Sequence, residues 1–196
     1  MSGPALIHDW RLAYENRLRA RDPADIDLVV IHCTELPDLA TAREFGERIL
    51  HTESGTGNCG HYYVDRDGTM HRFVGDERIA HHVFGHNERS IGIELVNRGR
   101  WPRWRDSRYQ AFDEPYTAAQ VRALNGLLDH LCNKLPGLKW IAGHEEIDLR
   151  VESASDDPTI LLPRRRDPGP LFPWADVLAG TALQPLLTGR ESPAGP

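Results

Sequence analysis

Hydrophobic residues along the chain form short runs separated by polar turns, and these runs predict a sheet. The run Ile26–Thr34 is nearly continuous, apolar and β-branched, which is typical of a buried strand. Ser90–Val96 predicts another inner strand and Leu138–His144 a short strand, and the first and last runs each reach a histidine. His61–Gly75 alternates around an Asp-Gly pair, which predicts a β-hairpin.

Two other stretches repeat their apolar residues at the spacing of a helix face. The first follows the opening strand and consists of Ala42, Phe45, Gly46 and Ile49. The second begins at a capping-box pair, Thr117 with Gln120. Its apolar residues are Val121, Leu124, Leu128, Leu131 and Leu135, and Pro136-Gly137 ends it.

The pattern predicts a single α/β domain with a mixed central β-sheet flanked by helices. A chain of 196 residues is long enough for one hydrophobic core. We expect residues 1–25 to be an N-terminal extension, residues 26–187 to form the domain and residues 188–196 to be a disordered tail. Ser153–Pro170 is polar and proline-rich, which predicts a loop.

Composition and charge limit the binding partners and the cellular compartment that we expect. The net charge of −6 argues against nucleic acid or an anionic membrane as the main partner. No apolar run approaches the length of a membrane span, and the first residues lack the basic-then-apolar order of a signal peptide. Three cysteines without CxxC spacing argue against a disulfide framework. We expect a cytoplasmic monomer, with the cell envelope as the alternative if a signal was trimmed.

Two histidines and one aspartate are candidates for a metal site. His32 and His144 each follow an apolar strand, and ligand sites form at strand ends in open α/β sheets. Asp167 precedes a rigid Pro-Gly-Pro turn that would fix its carboxylate. Two nitrogens and one oxygen match the protein ligands of a catalytic zinc. Spacing alone leaves a structural alternative open, in which the histidines are hydrogen-bonded strand ends and the aspartate is a turn former.

Five motifs occur in the order found in one enzyme family. They are "VVIHCTE", "GHYYVDRDG", "SIGIELVNRG", "WIAGHEEID" and "RRRDPGPLFPW". In this order the chain resembles the zinc-dependent N-acetylmuramoyl-L-alanine amidases of the AmpD-like family. That family is related to peptidoglycan recognition proteins and phage amidase-lysozymes. The resemblance covers about Ile26 to Trp174.

The resemblance implies a substrate, a metal and its ligands. The substrate is peptidoglycan or a muropeptide, cleaved at the amide between N-acetylmuramic acid and L-alanine. Zn²⁺ would be held by His32, His144 and Asp167. Asp157 also precedes a proline and is an alternative candidate for the third zinc ligand, but only Asp167 continues as "DPGPLFPW". The alternative function is a module that binds peptidoglycan without catalysis, and the retained ligands argue against it.

The resemblance also implies the catalytic residues. Glu94, in "GIEL", matches the family's catalytic glutamate and would move protons. Arg165 matches a position that is usually lysine and would stabilise the oxyanion, with Arg164 and Arg166 as alternatives. Several phage relatives have a tyrosine where this chain has Gly60, so catalysis is expected to depend more on Glu94.

Two further residues are expected to contact substrate. His82 falls where the family has a histidine lining the substrate cleft. Trp101 lies in a stretch, Asn97–Tyr109, that mixes arginine with tryptophan and could line a glycan groove, although inward packing of its tryptophans is equally open. The segment 145–166 is longer than family members usually carry.

Overall fold

The computed structural model describes residues 6–186. Its strands are β1 (Ile7–Asp9), β2 (Leu28–Cys33), β3 (Tyr62–Val64), β4 (Met70–Arg72), β5 (Ser90–Leu95), β6 (Trp140–Gly143), β7 (Val151–Ser153), β8 (Leu161–Pro163) and β9 (Gln184–Pro185). Its α-helices are α1 (Leu39–Glu47), α2 (Ala118–Lys134), α3 (His144–Ile147) and α4 (Trp174–Ala179). Short 3₁₀ helices cover Glu15–Arg17, Pro23–Asp25 and Asn87–Arg89.

Seven strands form one mixed sheet in the order β1-β4-β3-β5-β2-β6-β9. The β3–β4 hairpin is antiparallel, and the other neighbours in this sheet run parallel. The strands predicted at Ser90–Val96, Ile26–Thr34 and Leu138–His144 are adjacent in it as β5, β2 and β6. The predicted fold class, a mixed α/β domain, is therefore confirmed.

Helix α2 covers one face of the sheet. Its leucines Leu124, Leu127, Leu128 and Leu131 are fully buried in a core with the apolar residues of β2 and β5. Burying a side chain of this size contributes about 1.5–3 kcal/mol. The helix begins as predicted, because the Thr117 hydroxyl accepts from the Gln120 amide (3.0 Å) and the Gln120 side chain accepts from the Thr117 amide (3.1 Å).

The helix predicted from the apolar residues Ala42 to Ile49 ends before the last of them. Ala42 and Gly46 are buried on the inner face of α1 as expected. The helix ends at Glu47, where the backbone of Arg48 turns extended (ψ 128°). Ile49 therefore lies beyond the helix and is 48% exposed.

The predicted loop from Ser153 to Pro170 contains a strand. The last residue of β7 and all of β8 lie in it, and the two strands pair in antiparallel fashion outside the main sheet. Val151 and Leu161 remain more than half exposed, so the hairpin buries little of its apolar surface. This weak hydrophobic signal explains why the sequence pattern indicated a loop.

The segment predicted as an N-terminal extension packs into the domain. Strand β1 pairs with β4 at the edge of the sheet. Leu12, Tyr14 and Leu18 are buried in a core cluster with Phe73. Residue 26 is thus not a structural boundary in the described chain. The predicted tail, residues 188–196, lies outside the described residues.

Within residues 6–186, no helix has both the length and the apolar character needed to cross a membrane.

Candidate active site

Strand register brings the candidate residues to one edge of the sheet. In the parallel pairing of β2 with β5, His32 lies directly opposite Glu94. In the pairing of β2 with β6, Ile31 lies opposite Gly143, and His144 follows at the next position. The site therefore forms at the carboxyl ends of three adjacent parallel strands, where open α/β sheets place their ligands.

Asp167 reaches this edge from the loop after β8. Its carbonyl accepts from the Glu145 amide (2.9 Å), and the next carbonyl, of Pro168, accepts from the Tyr116 hydroxyl (2.7 Å). Gly169 turns the chain with φ 86°, and a Cβ there would lie 2.6 Å from the Phe112 ring. These contacts anchor the backbone of Asp167 and of the Pro-Gly-Pro turn that follows it.

Three buried ligand atoms converge at this point. The Nδ1 atoms of His32 and His144 lie 2.9 Å apart, and each lies 3.0 Å from Oδ2 of Asp167. All three residues are at most 4% exposed. Among residues 6–186, this is the group of histidine, cysteine and carboxylate side chains arranged to hold a metal ion.

The surroundings of His32 and Asp167 favour the forms of these two groups that bind metal. Burial and the neighbouring imidazole of His144 lower the pKa of His32 to about 4, so its ring is neutral at pH 7. Burial alone would raise the pKa of Asp167, but His144 and His32 hold it well below its usual range. A neutral imidazole and an ionised carboxylate are the forms that coordinate a cation. The residues present therefore fit a zinc ion.

The competing aspartate lies elsewhere. The Asp157 carboxylate accepts from the amide (2.9 Å) and the hydroxyl (2.6 Å) of Thr159, and so closes the turn of the β7–β8 hairpin. It is absent from the ligand cluster of the described chain. The four histidines left out of the predicted metal shell, His61, His71, His81 and His86, are absent from it as well.

The ligand cluster lies at the wall of a cavity of 980 Å³, which Glu94 also lines. Burial, and then the charge of Asp167, raise the pKa of Glu94 to about 8, while Arg165 acts in the opposite direction. A Cβ at Gly60 would lie 2.8 Å from Cγ of Glu94. The glycine that stands where phage relatives have tyrosine therefore makes room for the glutamate.

The structure separates the three neighbouring arginines. Arg165 lines the cavity, and its Nε is buried without a hydrogen-bond partner among the described residues. Arg164 also lines the cavity. Arg166 instead donates to the carbonyl of Gln110 (3.0 Å). Arg165 is thus the arginine whose charge acts on both Glu94 and His32.

The two predicted substrate contacts differ in position. His82 lines the cavity, with its Nδ1 3.0 Å from Nε2 of His32. Trp101 is not among the residues that line the cavity, and its ring packs edge-on against Phe45 and Trp104 at 6.2 and 5.0 Å. Trp104 is the tryptophan of this stretch that lines the cavity. Inward packing, one of the two alternatives, holds for Trp101.

A buried ion pair in the cavity wall was not foreseen from the sequence. Arg100 donates to both carboxylate oxygens of Glu35 at 2.7 Å, and both side chains are nearly inaccessible. Trp104 donates to the Glu35 carbonyl (3.0 Å). The pair holds the stretch that follows β5 against the end of β2. Glu35 lies in the motif "VVIHCTE" and Arg100 in the stretch Asn97–Tyr109, but nothing in either sequence pairs them.

The β7–β8 hairpin supplies part of the same wall. Arg150, Glu152 and Arg164 line the cavity from this hairpin and its flanks. The hairpin is held by Ser107, whose amide and hydroxyl both donate to the Asp156 carboxylate at 2.7 Å. The long segment between His144 and Asp167 is therefore a wall of the cavity.

Comparison with known proteins gives the context for this site. N-acetylmuramoyl-L-alanine amidase AmiD of Escherichia coli K12 is 36% identical over 88 residues, which are 45% of this chain and 26% of AmiD. The chain thus spans about a quarter of that relative.

Solved structures share the fold. The endolysin amidase LysCS of Clostridium intestinale URNW superposes with a TM-score of 0.65 at 20% identity, covering 94% of this chain and all of that one. A complex of E. coli AmiD with the substrate anhydro-N-acetylmuramic acid-L-Ala-D-γ-Glu-L-Lys gives 0.59 at 24% identity, covering 80% and 57%. The family model described as N-acetylmuramoyl-L-alanine amidase matches residues 22–170. Because this match covers well over half of the chain, the chain belongs to the N-acetylmuramoyl-L-alanine amidase family.

Proposed function

We propose that this protein is a zinc-dependent amidase that cleaves the bond between the lactyl group of N-acetylmuramic acid and L-alanine in peptidoglycan or muropeptides. The observation that carries the proposal is the convergence of His32, His144 and Asp167 at a cavity that Glu94 and Arg165 also line. Family membership supports the same chemistry.

Zn²⁺ would be held by Nδ1 of His32, Nδ1 of His144 and Oδ2 of Asp167. When bound, it supplies Lewis acidity toward a carbonyl and toward water. The same charge would favour the ionised form of Glu94, whose pKa in the metal-free protein is raised to about 8.

Glu94 and Arg165 would act on the two ends of the amide. Glu94 takes the proton of the attacking water and returns it to the departing alanine amine, which is efficient for a group whose pKa lies near the working pH. The guanidinium of Arg165, whose buried Nε has no hydrogen-bond partner within residues 6–186, donates to the oxygen that becomes negative in the tetrahedral state.

The charge of the cavity wall fits an anionic stem peptide. Six arginines line the cavity although the chain has a net charge of −6: Arg48, Arg100, Arg105, Arg150, Arg164 and Arg165. Three of them pair with carboxylates of the same wall, Arg100 with Glu35, Arg105 with Glu152 and Arg150 with Asp148. The substrate in the AmiD complex carries a γ-linked glutamate, whose α-carboxylate is free, and a terminal carboxylate. We expect a ligand of this class to lie along the arginines.

The test is to offer the zinc-loaded protein intact sacculi and soluble anhydro-muropeptides, and to identify the products by mass spectrometry. Free stem peptide with an N-terminal alanine is expected from at least one substrate, and its release should be about 10²–10⁴-fold slower in the Glu94→Gln control. Binding to sacculi without release from either substrate would favour the non-catalytic module instead.

A further inference from the structure

Both ring nitrogens of His82 are used inside the protein. Nδ1 lies 3.0 Å from Nε2 of His32, and Nε2 lies 3.2 Å from the hydroxyl of Ser90. A histidine that hydrogen-bonds a substrate needs a free ring nitrogen. This arrangement leaves none, although the ring lines the cavity.

The direction of the hydrogen bonds follows from Ser90. Its hydroxyl donates to the carbonyl of His86 (2.7 Å). A hydroxyl has only one hydrogen, so Ser90 can only accept from His82, and the hydrogen of His82 is on Nε2. A neutral imidazole carries a single hydrogen, so with that hydrogen on Nε2 the other ring nitrogen of His82 keeps its lone pair. Nδ1 of His82 is therefore an acceptor.

The hydrogen-bond direction at His82 determines which nitrogen of His32 carries its hydrogen. Since Nδ1 of His82 accepts, Nε2 of His32 carries the hydrogen and donates to it. In a neutral ring the other nitrogen then keeps its lone pair. That nitrogen, Nδ1 of His32, is the atom that faces His144 and Asp167.

We propose that His82 is a positioning residue that, together with Ser90, holds His32 in the tautomer and orientation that present Nδ1 to the metal. Ligand histidines commonly donate their second N–H to a partner, and this partner raises the basicity of the ligand. The proposal rests on the metal-binding part of the proposed function and does not depend on the reaction.

The surrounding backbone supports this position of His82. A Cβ at Gly92 would lie 2.6 Å from Cγ and Nδ1 of the His82 ring, so a glycine in β5 lets the ring lie against the strand. The side-chain oxygen of Asn87 accepts from the amides of His82 (3.0 Å) and Val83 (2.8 Å). The loop and the strand thus fix the ring between His32 and Ser90.

Zinc affinity is the first test. His82→Leu removes both hydrogen bonds and is expected to raise the zinc Kd by about 10–100-fold, measured by competition with a chromophoric chelator. His82→Asn keeps an oxygen acceptor close to the position of Nδ1 and is expected to restore most of the affinity. His81→Leu is the matched control, because His81 also lines the cavity but packs on His51 (4.6 Å between ring centres). It should leave the Kd unchanged.

Spectroscopy gives a second readout. The visible spectrum of the Co²⁺-substituted protein should change in His82→Leu and be retained in His81→Leu. Long-range ¹H–¹⁵N correlation spectra of the wild-type protein should place the hydrogens of His32 and His82 on Nε2. Ser90→Ala should raise the zinc Kd in the same direction as His82→Leu, which keeps the test decisive if His82→Leu does not fold.

The outcomes separate this proposal from the proposed function. If the wild-type protein binds zinc while His82→Leu keeps its Kd and cobalt spectrum and only KM rises, His82 is a substrate contact and the positioning role is wrong. A hydrogen on Nδ1 of His82 would also overturn it. If the wild-type protein binds no zinc, the metal part of the proposed function fails together with this inference.

Discussion

In the proposed mechanism, Glu94 is the residue at which catalysis can be separated from metal binding. It lines the cavity beside the ligand cluster without belonging to it. Glutamine keeps the shape of the side chain but cannot take up a proton at neutral pH. We expect Glu94→Gln to lower the rate of hydrolysis by about 10²–10⁴-fold, which is the rate acceleration that general acid–base catalysis usually contributes. Turnover is measured alongside zinc content and melting temperature, which should both be retained. Full activity in a folded, zinc-loaded variant would remove Glu94 from the mechanism.

The raised pKa of Glu94 also predicts how stability depends on pH in the metal-free protein. Burial, and then Asp167, raise this pKa from 4.5 to about 8. The folded state therefore holds the proton more tightly, and the contribution of Glu94 to stability is present below 4.5 and is lost as the pH rises through 8. Glu94→Gln does not titrate, so it should lose less stability across this interval. Urea unfolding at several pH values, after chelation, measures the difference; identical pH profiles would contradict the assignment.

The ligand assignment of the aspartates can be tested with two variants from the same loop region. Asp167 is buried in the ligand cluster, whereas Asp157 bonds only within its own turn, to Thr159. We expect Asp167→Ala to lose bound zinc and Asp157→Ala to keep about one ion per chain. Elemental analysis after dialysis gives the zinc content. Retention of zinc in Asp167→Ala with loss in Asp157→Ala would reverse the assignment.

Sequence motifs predicted the residues of the ligand cluster but not the contacts between residues that lie far apart in sequence. His32, His144 and Asp167 were candidates because each ends a recognisable strand or precedes a rigid turn, and the family resemblance of the five motifs then selected them. The pairing of Glu35 with Arg100 and the packing of Trp101 depend on how two loops fold onto each other. Local pattern carries no information about such long-range contacts.

At the level of elements, the β7–β8 hairpin is where the sequence pattern was least informative. Its strands are three residues each and stand outside the main sheet. Long elements with strong periodicity, such as α2, were predicted with their capping box. The hairpin is stabilised instead by contacts with residues 105–108, which its own sequence does not reveal.

We expect the hairpin to position substrate rather than metal. Asp156→Ala removes the carboxylate that accepts from the amide and hydroxyl of Ser107, and so loosens the wall that carries Arg150 and Arg164. The expected result is a several-fold rise in KM for muropeptides, with zinc content and kcat close to wild type. Asp157→Ala, in the same hairpin, is the control and should leave KM unchanged. If kcat falls while KM stays constant, the hairpin affects the chemical step and not substrate binding.

At the level of the whole molecule, the domain includes residues that precede the family match. The match begins at residue 22, yet Leu12, Tyr14 and Leu18 are buried before it. Arg21 donates to the carbonyls of Asp76 (2.7 Å) and Ser90 (2.7 Å), so it links this segment to β5. The segment looked like an extension because its apolar residues have no regular period, although they meet in one cluster with α1.

A bound metal would connect distant parts of this fold. The ligands come from the end of β2, from the start of α3 and from the loop after β8, so His32 and His144 are 112 positions apart in sequence. A ligand that binds only the folded state stabilises it by about 2.7 kcal/mol at a free concentration of 100 times its Kd. For a chain of this size, that corresponds to about 5–10 °C in melting temperature.

We therefore expect a chelator to lower the melting temperature of the wild-type protein by this amount and added zinc to restore it. His32→Ala is the control: it lacks a ligand, so its melting temperature should not respond to either treatment. Differential scanning calorimetry at a fixed protein concentration measures both proteins. If neither chelator nor zinc changes the melting temperature of the wild-type protein, the proposal that a metal links β2, α3 and the loop after β8 is wrong. The same shift in His32→Ala would show that zinc acts at another place on the molecule.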